Sequence, residues 1–250
     1  MMDAAAVLAR FDAFRADPPP EPGFDRIWAD GVWRTLGPSN FIIWWDFPAE
    51  AAAAIATREA AFFAGRQLEW KVYSHDRPPG LEAALAAAGF EADEPETFVA
   101  LDLEATPLAD PEVGVDIRAV TDAAGLADFL AVNEAAFGRV EPWMAQYIED
   151  RLANADLAVF VAYDGMRPVA SGRLELAPGT AFAGLFGGGV VPDYRGRGAY
   201  RALVAARAAM ARRLGYRYLT VDARETSRPI LQRLGFQPLA TVRGWTLGGG

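Results

Sequence analysis

Leu185 to Tyr200, LFGGGVVPDYRGRGAY, is the stretch whose reading decides the fold. It opens as an apolar strand, stops at Pro192-Asp193, turns through two Arg and two Gly, and enters a helix. A glycine-rich basic turn that feeds a helix N-terminus is an anion site. The first N–H groups of a helix have no intrahelical acceptor, the helix dipole favours negative charge there, and arginines add full charge. Arg195, Gly196, Arg197, Gly198 and Ala199 therefore read as a phosphate cradle, with an ordinary surface turn as the plainer alternative. A dinucleotide-type Gly loop does not fit, because residue 201 is Arg, and a Walker loop lacks its Gly-Lys-Ser/Thr.

Downstream, Tyr200, Leu203, Val204, Ala208, Ala211 and Leu214 recur at helical spacing and predict a helix from Gly198 to Leu214, closed by Gly215. A strand at Tyr218–Asp222, a short helix at Thr226–Leu234 and an extended stretch at Phe236–Leu247 follow, before a glycine tail. Upstream, Thr180–Val191, Pro168–Leu176 and Leu157–Tyr163 read as strands joined by Pro178-Gly179 and Asp164-Gly165 turns. Before them stand helices at Pro142–Asn154 and from Thr121 or Asp122 to Phe137, and a strand at Val115–Val120. Three strands joined by tight turns predict an antiparallel meander; the later strand–helix–strand adds a parallel neighbour. The fold class is α/β, in the α+β mixed-sheet sense, with helices on both faces.

The first part of the chain alternates in the same way. A helix spans residues 3–16, and a Pro-rich connector follows at 17–23. Residues 28–36 read as a weak strand broken by Gly31, Phe41–Phe47 as a strong strand, and Pro48–Gly65 as an Ala-rich helix. Leu68–Ser74 is a strand, Gly80–Ala88 a helix and Thr97–Leu103 a strand. Thr106–Glu112 is polar and Pro-containing. Residues 1–112 carry 8 Lys+Arg and 20 Asp+Glu, residues 113–250 carry 16 and 13, so the balance goes from −12 to +3 across it. Two domains, 1–112 and 113–250, are expected.

Composition narrows the chemistry. The net charge of −9 argues against nonspecific nucleic-acid binding. There is no Cys, so no thiolate nucleophile, disulfide or thiolate metal site, and the single His makes a zinc site or a Ser-His-Asp triad improbable. No apolar run reaches the roughly 20 residues of a membrane span, and no signal-peptide pattern opens the chain. A cytoplasmic location without membrane or metal is expected. Lys71 is the only lysine, so the basic chemistry is almost all Arg, which suits bidentate phosphate contacts and also fits a general Arg bias.

The strand–Pro–Asp–Tyr–RGRG–helix passage, with the later Leu231-Gln232-Arg233-Leu234-Gly235-Phe236, resembles the GCN5-related N-acetyltransferase (GNAT) family over roughly residues 113–247. Arg195-Gly196-Arg197-Gly198-Ala199 matches the first five positions of the family's loop signature, while Tyr200 departs from its small sixth residue. The resemblance implies the acyl-CoA N-acyltransferase fold and acetyl-CoA as cosubstrate. It also implies direct acetyl transfer to a primary amine of a small molecule or peptide. The loop from Arg195 to Tyr200 would hold the coenzyme A pyrophosphate. Gly189, Val190 and Val191 would line the pantetheine arm, with the Val190 backbone N–H as oxyanion donor. Ser227, Arg228 and Arg233 are further candidate cofactor contacts, Ser227 equally a helix cap. Leu231 stands where many relatives carry a Tyr that protonates the leaving thiolate.

For the general base the candidates are Glu175, Asp222 and Glu134, with a water chain as the other route. Glu175 could equally be ion-paired with Arg173 on its own strand face. The first half follows the same element order without the RxxGxG loop, so it reads as a degenerate second copy in a tandem arrangement. Its five Trp read as core and domain interface, or as an aromatic pocket or oligomer surface; a homodimer is allowed for. His75 reads as part of a polar loop. The alternative function is a non-catalytic acyl-CoA-binding or sensor protein, supported by Leu231 and the lack of an obvious base. A pure interaction protein is the weakest reading.

Overall fold

The computed structural model of the chain describes residues 2–108, 113–140, 142–152 and 156–248. The chain begins with α1 (Ala4–Ala16), β1 (Asp25–Ala29), β2 (Val32–Leu36), β3 (Phe41–Ile42), α2 (Ala52–Phe62) and β4 (Leu68–Tyr73). Next come α3 (Leu81–Ala87), β5 (Glu91–Ala92), β6 (Glu96–Asp102), β7 (Asp116–Ala119), α4 (Ala123–Phe137) and α5 (Met144–Leu152). The rest is β8 (Leu157–Asp164), β9 (Arg167–Leu176), β10 (Phe182–Val190), α6 (Ala199–Arg213), β11 (Tyr218–Ala223), α7 (Arg228–Arg233) and β12 (Gln237–Leu247). This is the mixed parallel and antiparallel sheet architecture, flanked by helices, that the periodicities predict.

By compactness the chain divides into two units that exchange segments. One holds Asp3–Val99 with Asp222–Arg228 and Pro238–Gly250; the other holds Ala100–Val221 with Pro229–Gln237. The composition boundary proposed at 106–112 lies partly outside the described residues, as do the proposed end of α5 at Asn154 and the last two glycines of the tail.

In the unit built on Asp3–Val99, the strand order is β1-β2-β3-β4-β12-β6, with β5 on β12. Residues 28–36, expected as one interrupted strand, are instead parts of two antiparallel strands. Asp30 (φ 43°) and Gly31 (φ 93°) are both left-handed, which is the two-residue turn that reverses a hairpin. Phe41–Phe47 is also corrected. Only Phe41–Ile42 pairs as a strand, parallel to β4, while Trp45 makes an isolated bridge to Val32. Its apolar side chains still go inward: Ile42, Trp45, Trp70, Phe63, Leu85 and Phe90 share one core. Alternation along β4 explains this, because Leu68 and Trp70 face the core while Glu69 and Lys71 do not. The core reading of the Trp cluster holds for Trp45 and Trp70, whereas Trp28 is exposed and lies against Trp33. Within the same unit Lys71 Nζ lies 2.8 Å from Asp222, and Arg15 bridges Asp12 and Asp76.

In the unit built on Ala100–Val221, β7, β8, β9 and β10 form an antiparallel run and β11 adds parallel to β10. Asp122 caps α4 by accepting from the Gly125 N–H, and Gly138 (φ 79°) ends it. This meander and its parallel neighbour carry the loop on which the sequence reading turns.

Candidate active site

Two local features of β10 shape the site. First, its pairing with β11 covers Phe182↔Tyr218 to Gly184↔Thr220, although β10 continues to Val190. The strands part beyond Gly184, and β10 keeps β9 as its neighbour. Second, β10 carries a bulge. Phe186 faces Arg173 and Gly189 faces Ser171, so Gly187 and Gly188 stand opposite the single residue Gly172. Gly187 takes φ 56°, which glycine adopts without strain.

The glycines of the bulge also reveal what covers each face. A Cβ on Gly189 would lie 2.8 Å from the Ala136 Cβ and 2.9 Å from the Phe137 ring, both on α4. A Cβ on Gly188 would meet Tyr200 at 3.0 Å and Arg207 at 3.4 Å, both on α6. Successive residues thus point to α4 and α6 on opposite faces; Gly189 has no room for a side chain, and a Cβ on Gly188 would press on Tyr200.

Val191 N–H donates to Val169 on β9 at 3.0 Å. Backbone groups alternate in direction along a strand, so Val190 directs its N–H and C=O to the opposite edge, the one β11 has left. The Arg195 guanidinium sits at that edge. Its Nε donates to the Val190 carbonyl at 3.3 Å and its Nη2 to the Ala136 carbonyl at 3.3 Å. Arg195, Gly196 and Arg197 are exposed, and the Arg197 guanidinium lies 4.8 Å from the Tyr194 ring centroid. Gly196 and Gly198 have φ of 80° and 91°, and α6 starts at Ala199 with no side-chain cap and no acidic residue in its first turn. An uncapped, acid-free helix start beneath two exposed arginines is suited to an anion.

Tyr200, the departure from the family pattern, is half-buried with its ring over Gly188. The missing side chain at 188 makes the room that a Tyr at 200 requires.

Glu175 is already engaged. It accepts from the Tyr147 hydroxyl at 3.2 Å and lies 3.4 Å from Arg173 Nη2 and 3.8 Å from Arg151 Nη1. Arg151 in turn pairs with Asp156 and with the Tyr147 hydroxyl. The ion-pair reading of Glu175 is therefore realised in the structure. Asp222 is held on one oxygen by Lys71, and its Oδ1 is buried with no protein partner among the described residues. Burial lowers the Lys71 pKa, but Asp222 and Glu69 outweigh it and hold the ammonium well above its ordinary value. Glu134 is exposed on α4. Ser227 donates its hydroxyl to the Arg224 carbonyl, immediately before α7, and Arg233 is exposed at the end of that helix. Arg228 pairs with Glu225 at 2.8 Å. Leu231 is fully buried and offers no hydroxyl.

Sequence reasoning missed the bulge and Arg207. The triple glycine inside a strand pattern was a bulge signal. Arg207 falls on the same stripe of α6 as Leu203, Val204, Ala208 and Ala211, and a charge on an apolar stripe marks a buried ion.

A strand that parts from its parallel neighbour above a glycine-rich helix start defines the acyl-CoA N-acyltransferase architecture. Residues 127–236 match the family described as Acetyltransferase (GNAT) family. The whole fold is similar to a GCN5-related N-acetyltransferase from Kribbella flavida, with TM-score 0.70, 21% identity, and 100% of this chain and 97% of that one covered. It is also similar to a tandem GNAT protein from the clavulanic acid biosynthesis pathway, with TM-score 0.63, 16% identity, and 96% and 88% covered. A GCN5-related N-acetyltransferase from Sphaerobacter thermophilus gives TM-score 0.63 at 15% identity, with 97% and 90% covered. No curated protein matches the chain by sequence. Among the described residues no helix is long and apolar enough to cross a membrane.

Proposed function

We propose that the protein is an acetyl-CoA-dependent N-acetyltransferase acting on a primary amine of a small molecule or peptide. The observation that supports this most is the continuous path from the open edge of β10 at Val190 to the uncapped start of α6. In this reading Arg195, Gly196, Arg197, Gly198, Ala199 and Tyr200 hold the pyrophosphate of coenzyme A, and Gly189, Val190 and Val191 line its pantetheine arm. The acceptor nitrogen attacks the thioester carbonyl carbon, the C–S bond breaks, and the thiolate leaves. The Val190 N–H donates to the oxygen that gains charge in between. The amine proton goes to a base, for which Glu175 and Asp222 are the candidates; Asp222 is the one that keeps an oxygen without a protein partner. Residues 1–112 are a degenerate copy that lacks the loop, 113–250 the catalytic part, and the protein acts in the cytoplasm without metal or nucleic acid. Ser227 and Arg233 are further cofactor contacts in this reading.

A second reading, an acyl-CoA-binding sensor, is favoured by Leu231 alone, since the family's hydroxyl acid is absent there. One experiment separates the two: release of free thiol from acetyl-CoA across a panel of amines, alongside calorimetric binding of coenzyme A. Turnover with any amine supports the transferase. Tight binding without turnover supports the sensor, and no binding refutes both.

A further inference from the structure

Arg207 is 1% exposed, on the face of β10 that α6 covers. Its Nε donates to the Leu203 carbonyl of its own helix at 3.0 Å, and its Nη1 to the Arg173 carbonyl of β9 at 3.1 Å. Its Nη2 is buried without a hydrogen-bond partner. Gly172 makes room for it: a Cβ there would stand 2.7 Å from Nη1 and 2.8 Å from Cζ, while Gly188 lies beside Nη2 at ordinary contact distance. No carboxylate faces it among the described residues. Burial pushes the guanidinium pKa down to about 10, with Tyr200 opposing that shift. A buried charge without a counter-ion is strongly unfavourable, so a fold that made space for this one at Gly172 has a use for it.

We propose that Arg207 is a positioning residue for acyl transfer. It ties α6 to β9 opposite the bulge of β10, and its unbalanced positive charge lowers the energy of the negative charge that develops on the thioester oxygen and the leaving sulfur. The proposal rests on the acetyltransferase reading above. It does not require Arg207 to touch the substrate. A charge this deeply buried acts over several ångströms, because little solvent screens it. The Tyr200 ring and the Arg207 guanidinium both lie beside Gly188.

The test uses the full chain with acetyl-CoA and an amine that the wild type turns over. Arg207→Met fills the same space without charge. Its kcat is expected to fall about 30-fold, less than the roughly 10²–10³ lost when a direct oxyanion donor is removed. KM for acetyl-CoA and the affinity for coenzyme A should stay near wild type, the pattern of an interaction made only in the transition state. Arg207→Lys keeps a charge and should recover most of the rate. Its activity relative to wild type should then decline with rising pH, because a buried ammonium loses its proton more readily than a guanidinium.

An Arg207→Met protein with wild-type kcat overturns the proposal. So does an Arg207→Met protein that fails to fold while Arg207→Lys folds and works without that pH dependence, because the charge is then structural. A wild type without turnover on any amine refutes the transferase reading before any variant is made, so the two failures are distinguishable.

Discussion

At the scale of single residues, the loop glycines are not equivalent. Gly196 and Gly198 are both left-handed, but a Cβ on Gly196 meets nothing within 4 Å, while one on Gly198 would come within 2.6 Å of Val113. Gly196→Ala should therefore cost only the left-handed strain, roughly 1–2 kcal/mol. Gly198→Ala should cost more and weaken coenzyme A binding as well, because its Cβ displaces the entry to α6. Chemical denaturation and calorimetry with coenzyme A check both. Arg195→Ala should leave the fold intact and weaken coenzyme A binding about tenfold, the loss of one charge-assisted contact. Unchanged binding would remove Arg195 from the cradle. The left-handed glycines of this turn were legible in the sequence because their demand is local. A left-handed turn needs glycine, and a phosphate needs N–H groups and arginine, wherever the chain then goes. The engagement of Glu175 was not legible in the same way. That Arg173 would reach it follows from their spacing on one strand, but Tyr147 and Arg151 come from a helix more than twenty residues upstream.

At the scale of elements, the order of elements and the approximate helix spans followed from periodicity, and the structure departs where pairing depends on distant partners. Phe41–Phe47 has strong strand composition, yet only two of its residues join β4 as a strand. Its aromatic side chains are used for packing, and Trp45 Nε1 donates to the Arg77 carbonyl instead. One element contact carries a stability prediction. Glu59 on α2 is fully buried and meets Arg34 of β2 at 2.6 Å and Arg58 at 2.7 Å. Glu59→Gln leaves the buried Arg34 guanidinium without its counter-ion and should destabilise the protein by roughly 3–5 kcal/mol, whereas replacing both partners by apolar residues should cost far less. Urea denaturation of the single and double variants decides it.

At the scale of the whole molecule, the acidic balance gives stability a lower pH limit. Burial raises the Asp12 pKa, but hydrogen bonds from His75 and Arg15 outweigh it and hold the carboxyl below its ordinary value. At Asp102 the same contest is won by Arg217 and by the N–H groups of Glu104 and Ala105. A carboxylate depressed in the folded state contributes stability that is fully present above its unfolded pKa and is lost as pH falls through the folded one. Both contributions should thus be present from neutral pH down to roughly pH 4, near the unfolded Asp value, and fade below it. Asp12→Asn and Asp102→Asn should each flatten the decline of the melting temperature below that pH, with little change in its slope near neutrality. The sequence by itself determined the mixed-sheet class, the order of elements, the glycine-rich basic turn before α6 and the family resemblance. All of these rest on local demands: side-chain period, backbone angles, and the charge of a few adjacent residues. Tertiary structure alone decided that segments after β11 group with the N-terminal part, that β10 bulges and parts from β11, and that Arg207 is buried beneath it without a counter-ion. Those outcomes depend on which surfaces meet across long stretches of chain, where shape and desolvation rather than local propensity choose the partner.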